Sequence, residues 1–120
     1  DTNLAVAKLY NMLPAEMVNT EGQPVEALVT VRSIFIIDPD KKIRMMMIYP
    51  ISTGRNFDEI LRVLDAIQLT DRHQVATPAN WQDGDDVIIL PYVSYAQARE
   101  KYPNGLKTLK SYLRLVKQPD

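Results

Sequence analysis

Two arginines carry most of the chemistry this sequence offers. Arg32 sits in "LVTVRSIFII", a β-branched apolar run, and Arg55 sits in "STGRNFDEIL", where a glycine-led turn enters an amphipathic stretch. By strand alternation Thr30, Arg32, Ile34 and Ile36 share one face, and Val31, Ser33, Phe35 and Ile37 share the other. A guanidinium in such a strand cannot shed its charge, so burial requires a carboxylate, a thiolate or a bound anion beside it. The plain alternative is that Arg32 lies near a strand end and reaches water along its aliphatic stem. Arg55 has a similar pair of readings: a solvated loop arginine bonding local carbonyls, or a second cation of one pocket. A helix mouth favours anions, so a cation there raises the question of which negative group it faces. Two arginines near one sheet end are suited to stabilising a thiolate or a developing oxyanion.

The other reactive residue types have simpler explanations. His73 is the single histidine, and without neighbouring ligands it reads as a surface residue at a helix end rather than a metal ligand. Met45, Met46 and Met47 are adjacent, so alternation sends them to opposite faces, and core packing is expected rather than a ligand cluster. "DGDD" at 83–86 lacks the register and terminal Glu of a calcium loop and reads as a turn. Asp38 and Asp40 bracket Pro39, which turn chemistry explains. No G-x-S-x-G, Walker loop or H-E-x-x-H occurs, and the chain has no cysteine, which excludes disulfides and thiolate chemistry from its own residues. No metal and no cofactor are implied.

These residues must be positioned by a small number of elements. Residues 2–10 read as a short helix capped by Asp1 or Thr2, and 11–27 as a connecting loop with two prolines and a glycine. Residues 28–37 read as a strand, Asp38 to Lys41 as a turn, and 43–49 as the returning strand of an antiparallel hairpin. The four apolar residues from Ile34 to Ile37 suggest burial on both faces, as inside a larger sheet, so more chain is expected upstream. Asn56 caps the next helix with Glu59 three residues on, and Phe57, Ile60, Leu61, Leu64 and Ile67 form its apolar stripe. After Leu69 the texture becomes polar and turn-rich, with a short strand at 87–91, a helix at 94–102 stopped by Pro103, and a last strand at 110–116. Such short elements joined by long links are expected to struggle to fold alone, and a soft boundary falls near Thr70.

The totals fit a soluble globular α/β domain or a piece of one. The chain has 120 residues, 46 % hydrophobic and 24 % charged, with a net charge of −1. That charge supplies no long-range field for nucleic acid, and no window approaches a transmembrane helix. The chain opens at Asp1, without the basic start and apolar run of a signal peptide, so the natural N-terminus is expected to lie elsewhere.

The order and spacing of "RSIFIIDP", "YPISTGRNFDEILR" and "VATPANW", continuing through "KSYLRLVKQP", closely resemble the second half of the one-cysteine peroxiredoxins. The resemblance implies an elaborated thioredoxin-like α/β fold, with 1–69 as the second half of its main domain and 70–120 as a C-terminal extension used in dimerisation. It implies a thiol-dependent peroxidase in antioxidant defence, reducing hydrogen peroxide and organic hydroperoxides. Its partners would be the peroxide, an external thiol reductant and a second copy in a homodimer, with no nucleic acid and no membrane, in the cytoplasm. Arg32 resembles the family arginine that lowers the pKa of the reactive thiolate and orients the peroxide, and Arg55 the second arginine beside it. Ala76 in "VATP" stands near the place where the two-cysteine branch has its resolving cysteine. The family's P-x-x-x-T-x-x-C motif belongs to the first half of the fold and is missing here, so this chain alone is expected to be inactive. Two readings stand beside the peroxidase: a non-catalytic dimerisation or scaffold piece, and a lipid-handling relative in which Asp40 matches an acid of a Ser, His and Asp set.

Overall fold

Asp38 closes the turn and Pro50 follows the open end of the element that matters most, a β-hairpin. In the computed structural model, which describes residues 1–13 and 30–120, β1 (Arg32–Ile37) pairs antiparallel with β2 (Ile43–Tyr49). Arg32 lies opposite Tyr49, Ile34 opposite Met47 and Phe35 opposite Met46, with an irregularity between Ile36 and Ile37. β1 begins at Arg32, later than the pattern suggested, because Tyr49 is followed by Pro50, which has no N–H to continue the ladder. Leu28 and Val29 lie outside the described residues. The turn is closed by Asp38, whose Oδ1 accepts the Lys42 N–H at 2.8 Å and whose carbonyl accepts the Lys41 N–H at 2.9 Å. Lys41 takes the left-handed conformation (φ 65) there.

The hairpin belongs to a unit spanning Asp1–Asn56. Its helix α1 (Ala5–Leu9) follows Leu4, which has no capping side chain of its own. Asp1 does that work: its carboxylate accepts the N–H groups of Val6 at 3.2 Å and Ala7 at 2.8 Å. Tyr10 meets Phe35 edge to face at 4.8 Å between centroids. The strands are less buried than their composition suggested. Ile34, Phe35 and Ile36 are half-buried, while Ile37, Met46 and Ile48 are exposed. The expectation of core packing for all three methionines is therefore corrected: alternation leaves Met45 and Met47 half-buried and turns Met46 outward.

The second unit, Phe57–Asp120, holds α2 (Phe57–Arg72), β3 (Val75–Ala76), β4 (Val87–Ile89), α3 (Tyr95–Lys101), β5 (Lys107–Lys110) and β6 (Leu113–Val116). The four strands form one antiparallel sheet in the order β3-β4-β6-β5. Trp81, Leu69, Val87 and Ile89 are almost fully buried and centre a core that includes Val75, Ala98 and Val116. Short elements thus do make a core here, since one tryptophan fills space that several small strands leave open. The expected stripe of α2 is met in part, with Ile60, Leu64 and Ile67 half-buried. Its buried residues are Ala66 and Leu69, near the end that meets β3, whereas Phe57 and Leu61 are 67 % and 57 % exposed.

Local signals were reliable at α3 and in the acidic turn. Ser94 and Gln97 make a reciprocal capping box, with Ser94 Oγ accepting the Gln97 N–H at 3.2 Å and Gln97 Oε1 accepting the Ser94 N–H at 2.9 Å. Around "DGDD", Asp85 Oδ2 accepts the Gln82 N–H, and Gly84 adopts φ 96, a conformation that side chains rarely permit. Gln118 then ties the turn down, accepting from the Gly84 N–H and donating to Asp83 Oδ1, both at 2.7 Å.

Candidate active site

Arg32 is the first residue of β1 and is half-buried. Its Nη1 donates to the backbone carbonyl of Thr53 at 2.7 Å. That carbonyl belongs to the loop that Pro50 starts, which turns through a bond from the Thr53 N–H to the Pro50 carbonyl at 3.0 Å. Tyr49, the cross-strand neighbour of Arg32, accepts the Asn56 N–H on its hydroxyl at 3.3 Å. Thr53 and Asn56 are thereby both tied to the end of the hairpin, and Gly54 and Arg55 lie between them. The structure brings the two arginines predicted from sequence to one end of one hairpin.

A guanidinium carries five N–H donors, and Arg32 uses one of them among the described residues. Arg55 is exposed and has no hydrogen bond or ion pair with any described residue. Neither arginine is paired with a carboxylate there. Among the described residues Arg32 touches a carbonyl and no carboxylate, and it is half-buried rather than fully exposed. A neutral carbonyl fixes one edge of the planar guanidinium and leaves its charge uncompensated. Such an arrangement can hold a thiolate, a peroxide oxygen or another small anion.

Arg62 in the second unit shows what a purely structural arginine looks like. Its Nε and Nη2 donate to the two Glu59 carboxylate oxygens at 2.6 and 2.8 Å, and its Nη1 donates to the Trp81 carbonyl at 3.3 Å. The hydrogen bond from Arg62 holds the Glu59 carboxyl below its ordinary range, and the Glu59 bond raises Arg62 in return. Arg114 is buried, with its Nη2 donating to the carbonyls of Val93 at 2.6 Å and Leu90 at 3.2 Å. Neither Arg62 nor Arg114 stood out in the sequence. The three-residue spacing of Glu59 and Arg62 on a helix was the available signal for the first.

His73 is corrected from a surface residue to a half-buried one whose Nε2 is enclosed without a partner among the described residues. Asp40 is exposed in the hairpin turn. No group of three metal-binding side chains occurs among the described residues, and none of their helices is long and apolar enough to cross a membrane. A cavity of about 470 Å³ lies in the second unit around Tyr102, Gly105 and Lys117, away from either arginine in sequence.

Comparison with known proteins bears on this geometry. A family model described as the C-terminal domain of 1-Cys peroxiredoxin matches residues 66–105. A 1-Cys peroxiredoxin of Dictyostelium discoideum is 48 % identical over 120 residues, covering 100 % of this chain and 46 % of that protein. Among solved structures, a cysteine-to-serine mutant of the Peroxiredoxin 6 of Arenicola marina is similar at TM-score 0.81 and 42 % identity, covering 99 % of this chain and 54 % of that one. A yeast mitochondrial 1-Cys peroxiredoxin, solved for its thiol resolving mechanism via glutathione/thioredoxin systems, is similar at TM-score 0.79 and 49 % identity, covering 98 % and 54 %. The chain spans about half the length of the relatives it matches.

Proposed function

We propose that this chain is the C-terminal part of a 1-Cys peroxiredoxin and contributes the arginines of a thiol-dependent peroxidase. The substrates are hydrogen peroxide and organic hydroperoxides, and the nucleophilic cysteine comes from outside these 120 residues, which contain none. The thiolate sulfur attacks one peroxide oxygen, the O–O bond breaks, and the departing oxygen takes a proton to leave as water or alcohol. The cysteine is left as a sulfenic acid. An external thiol then attacks its sulfur, releasing water and forming a mixed disulfide that a second thiol reduces. Glutathione or a thioredoxin-type dithiol is the reductant class we favour, by analogy with the yeast relative.

The observation that carries this reading is the pair of uncompensated arginines held at one hairpin end. Arg32 offers its remaining donors to the thiolate and to the oxygen on which negative charge grows, and Arg55 adds a second positive charge. Both favour the charged form of the thiol and the charge that develops in the transition state. The division at residues 69 and 70, with the latter segment serving homodimer formation, and a cytoplasmic location remain parts of the same proposal. The absence of cysteine supports a second statement, that the 120 residues alone are a non-catalytic piece.

A chimera tests this reading directly. This chain replaces the matched segment of the Dictyostelium relative, and peroxide consumption is followed with a thiol reductant. The chimera should turn over peroxide, the isolated chain should not, and Arg32→Ala in the chimera should lower the second-order rate constant by about 10²-fold or more. Arg55→Ala should cost less. Equal rates for the chimera and its Arg32→Ala variant would remove Arg32 from the reaction.

A further inference from the structure

Tyr49 has no part in the chemistry described above, yet it connects both arginines. Its backbone is the register partner of Arg32, and its hydroxyl accepts the N–H of Asn56, the residue that follows Arg55. On the other side of Arg55, the Thr53 carbonyl accepts from Arg32 Nη1. The glycine-led segment is thus pinned at two points, one by a side chain of β2 and one by the side chain of β1. Gly54 contributes no side chain to the tie, and a Cβ built there would meet no atom within 4 Å. These two ties act beside the turn bond from the Thr53 N–H to the Pro50 carbonyl, and the Tyr49 bond reaches the segment on the far side of Arg55.

We infer that Tyr49 is a positioning residue: its hydroxyl fixes Arg55 relative to Arg32, so that the two guanidinium groups act on one anion rather than on two. This inference rests on the peroxidase reading for its purpose but not for its geometry. The phenol suits the task. It reaches several ångströms beyond the strand on a stem with two rotatable bonds, and it can accept a backbone N–H without adding a formal charge that would compete with the anion. Phenylalanine keeps the ring and its packing and deletes the hydroxyl alone.

The test uses acetate as a small oxyanion and reads the Nε–H signals of Arg32 and Arg55 by NMR in the 120-residue chain. In the wild type both signals should move along one binding curve with one Kd. In Tyr49→Phe the affinity should weaken roughly 3–10-fold, the range for one lost hydrogen bond, and the two curves should separate. The Asn56 amide should exchange faster with solvent, while the thermal midpoint stays put. In the active chimera, the same substitution should shift the pH profile of peroxide consumption upward, because a less well-held pair of cations stabilises the thiolate less. Identical acetate affinity in wild type and Tyr49→Phe, or no joint response of the two arginines in the wild type, would overturn the inference. An inactive chimera with intact, Tyr49-dependent acetate binding would instead count against the peroxidase reading alone.

Discussion

In the Phe57–Asp120 unit, Arg62 is engaged through three nitrogens and Arg114 is buried against two carbonyls, while Trp81 is 1 % exposed at the centre of the core. In the Asp1–Asn56 unit, Arg32 and Arg55 together make one described hydrogen bond, and Met46 and Ile48 stand 57 % and 58 % exposed. The two regions use the same residue type for different ends. Arg62 meets protein oxygens through three nitrogens, whereas Arg114 meets two carbonyls through Nη2 alone while its buried Nε has no partner among the described residues. At Arg32 one neutral contact orients the guanidinium and its remaining donors meet no described residue, as the proposed anion site requires. The first arrangement increases stability, and the second leaves donors of Arg32 uncommitted among the described residues.

Mutations can break this contrast from both sides. Trp81→Ala should have the largest effect on stability, a loss of about 3–5 kcal/mol in urea unfolding, because no neighbouring side chain can refill so large a space. A loss below 1 kcal/mol would mean that the second unit has no well-packed centre. Arg114→Ala should follow at about 2 kcal/mol, since two carbonyls lose a charged donor and a buried stem disappears.

Arg32→Ala should cost the isolated chain less than about 1 kcal/mol, the worth of a single hydrogen bond, even though a large loss of peroxide turnover is expected of it in the chimera. An Arg32→Ala loss equal to that of Arg114→Ala would erase the distinction between the two kinds of arginine. The smallest effect sharpens it further. The folded Glu59 carboxyl titrates below its ordinary value of 4.5, so the stability it contributes is present above the unfolded value and is lost as pH falls through the folded one. Glu59→Gln should therefore be slightly less stable than wild type at pH 7, with the gap closing in acid. A gap that is the same at pH 7 and pH 3 would show that the pair is not what Arg62 contributes.

Much of this was legible before any coordinates, and the legible parts share a cause. The hairpin over Arg32–Tyr49 grows from its tight turn, and the helix over 94–102 with its stop at Pro103 and the turn at "DGDD" depend on contacts within a few residues, which sequence spacing specifies. The resemblance carried by "RSIFIIDP" and "YPISTGRNFDEILR" likewise marked Arg32 and Arg55 together, although they lie 23 positions apart.

What the sequence by itself determined, then, is the identity of the elements and of the two candidate cations. Tertiary structure alone decided which faces are covered. It turned Met46, Phe57 and Leu61 outward, enclosed His73, gave Trp81 its central place and added the short strands β3 and β5. Periodicity says which residues share a face, but burial depends on what distant chain arrives there, and a two-residue strand such as Val75–Ala76 exists only because Ile88 and Ile89 supply its ladder. The bond from Arg32 to the Thr53 carbonyl has the same origin: it joins residues 21 positions apart, and only the returning strand brings them within 2.7 Å.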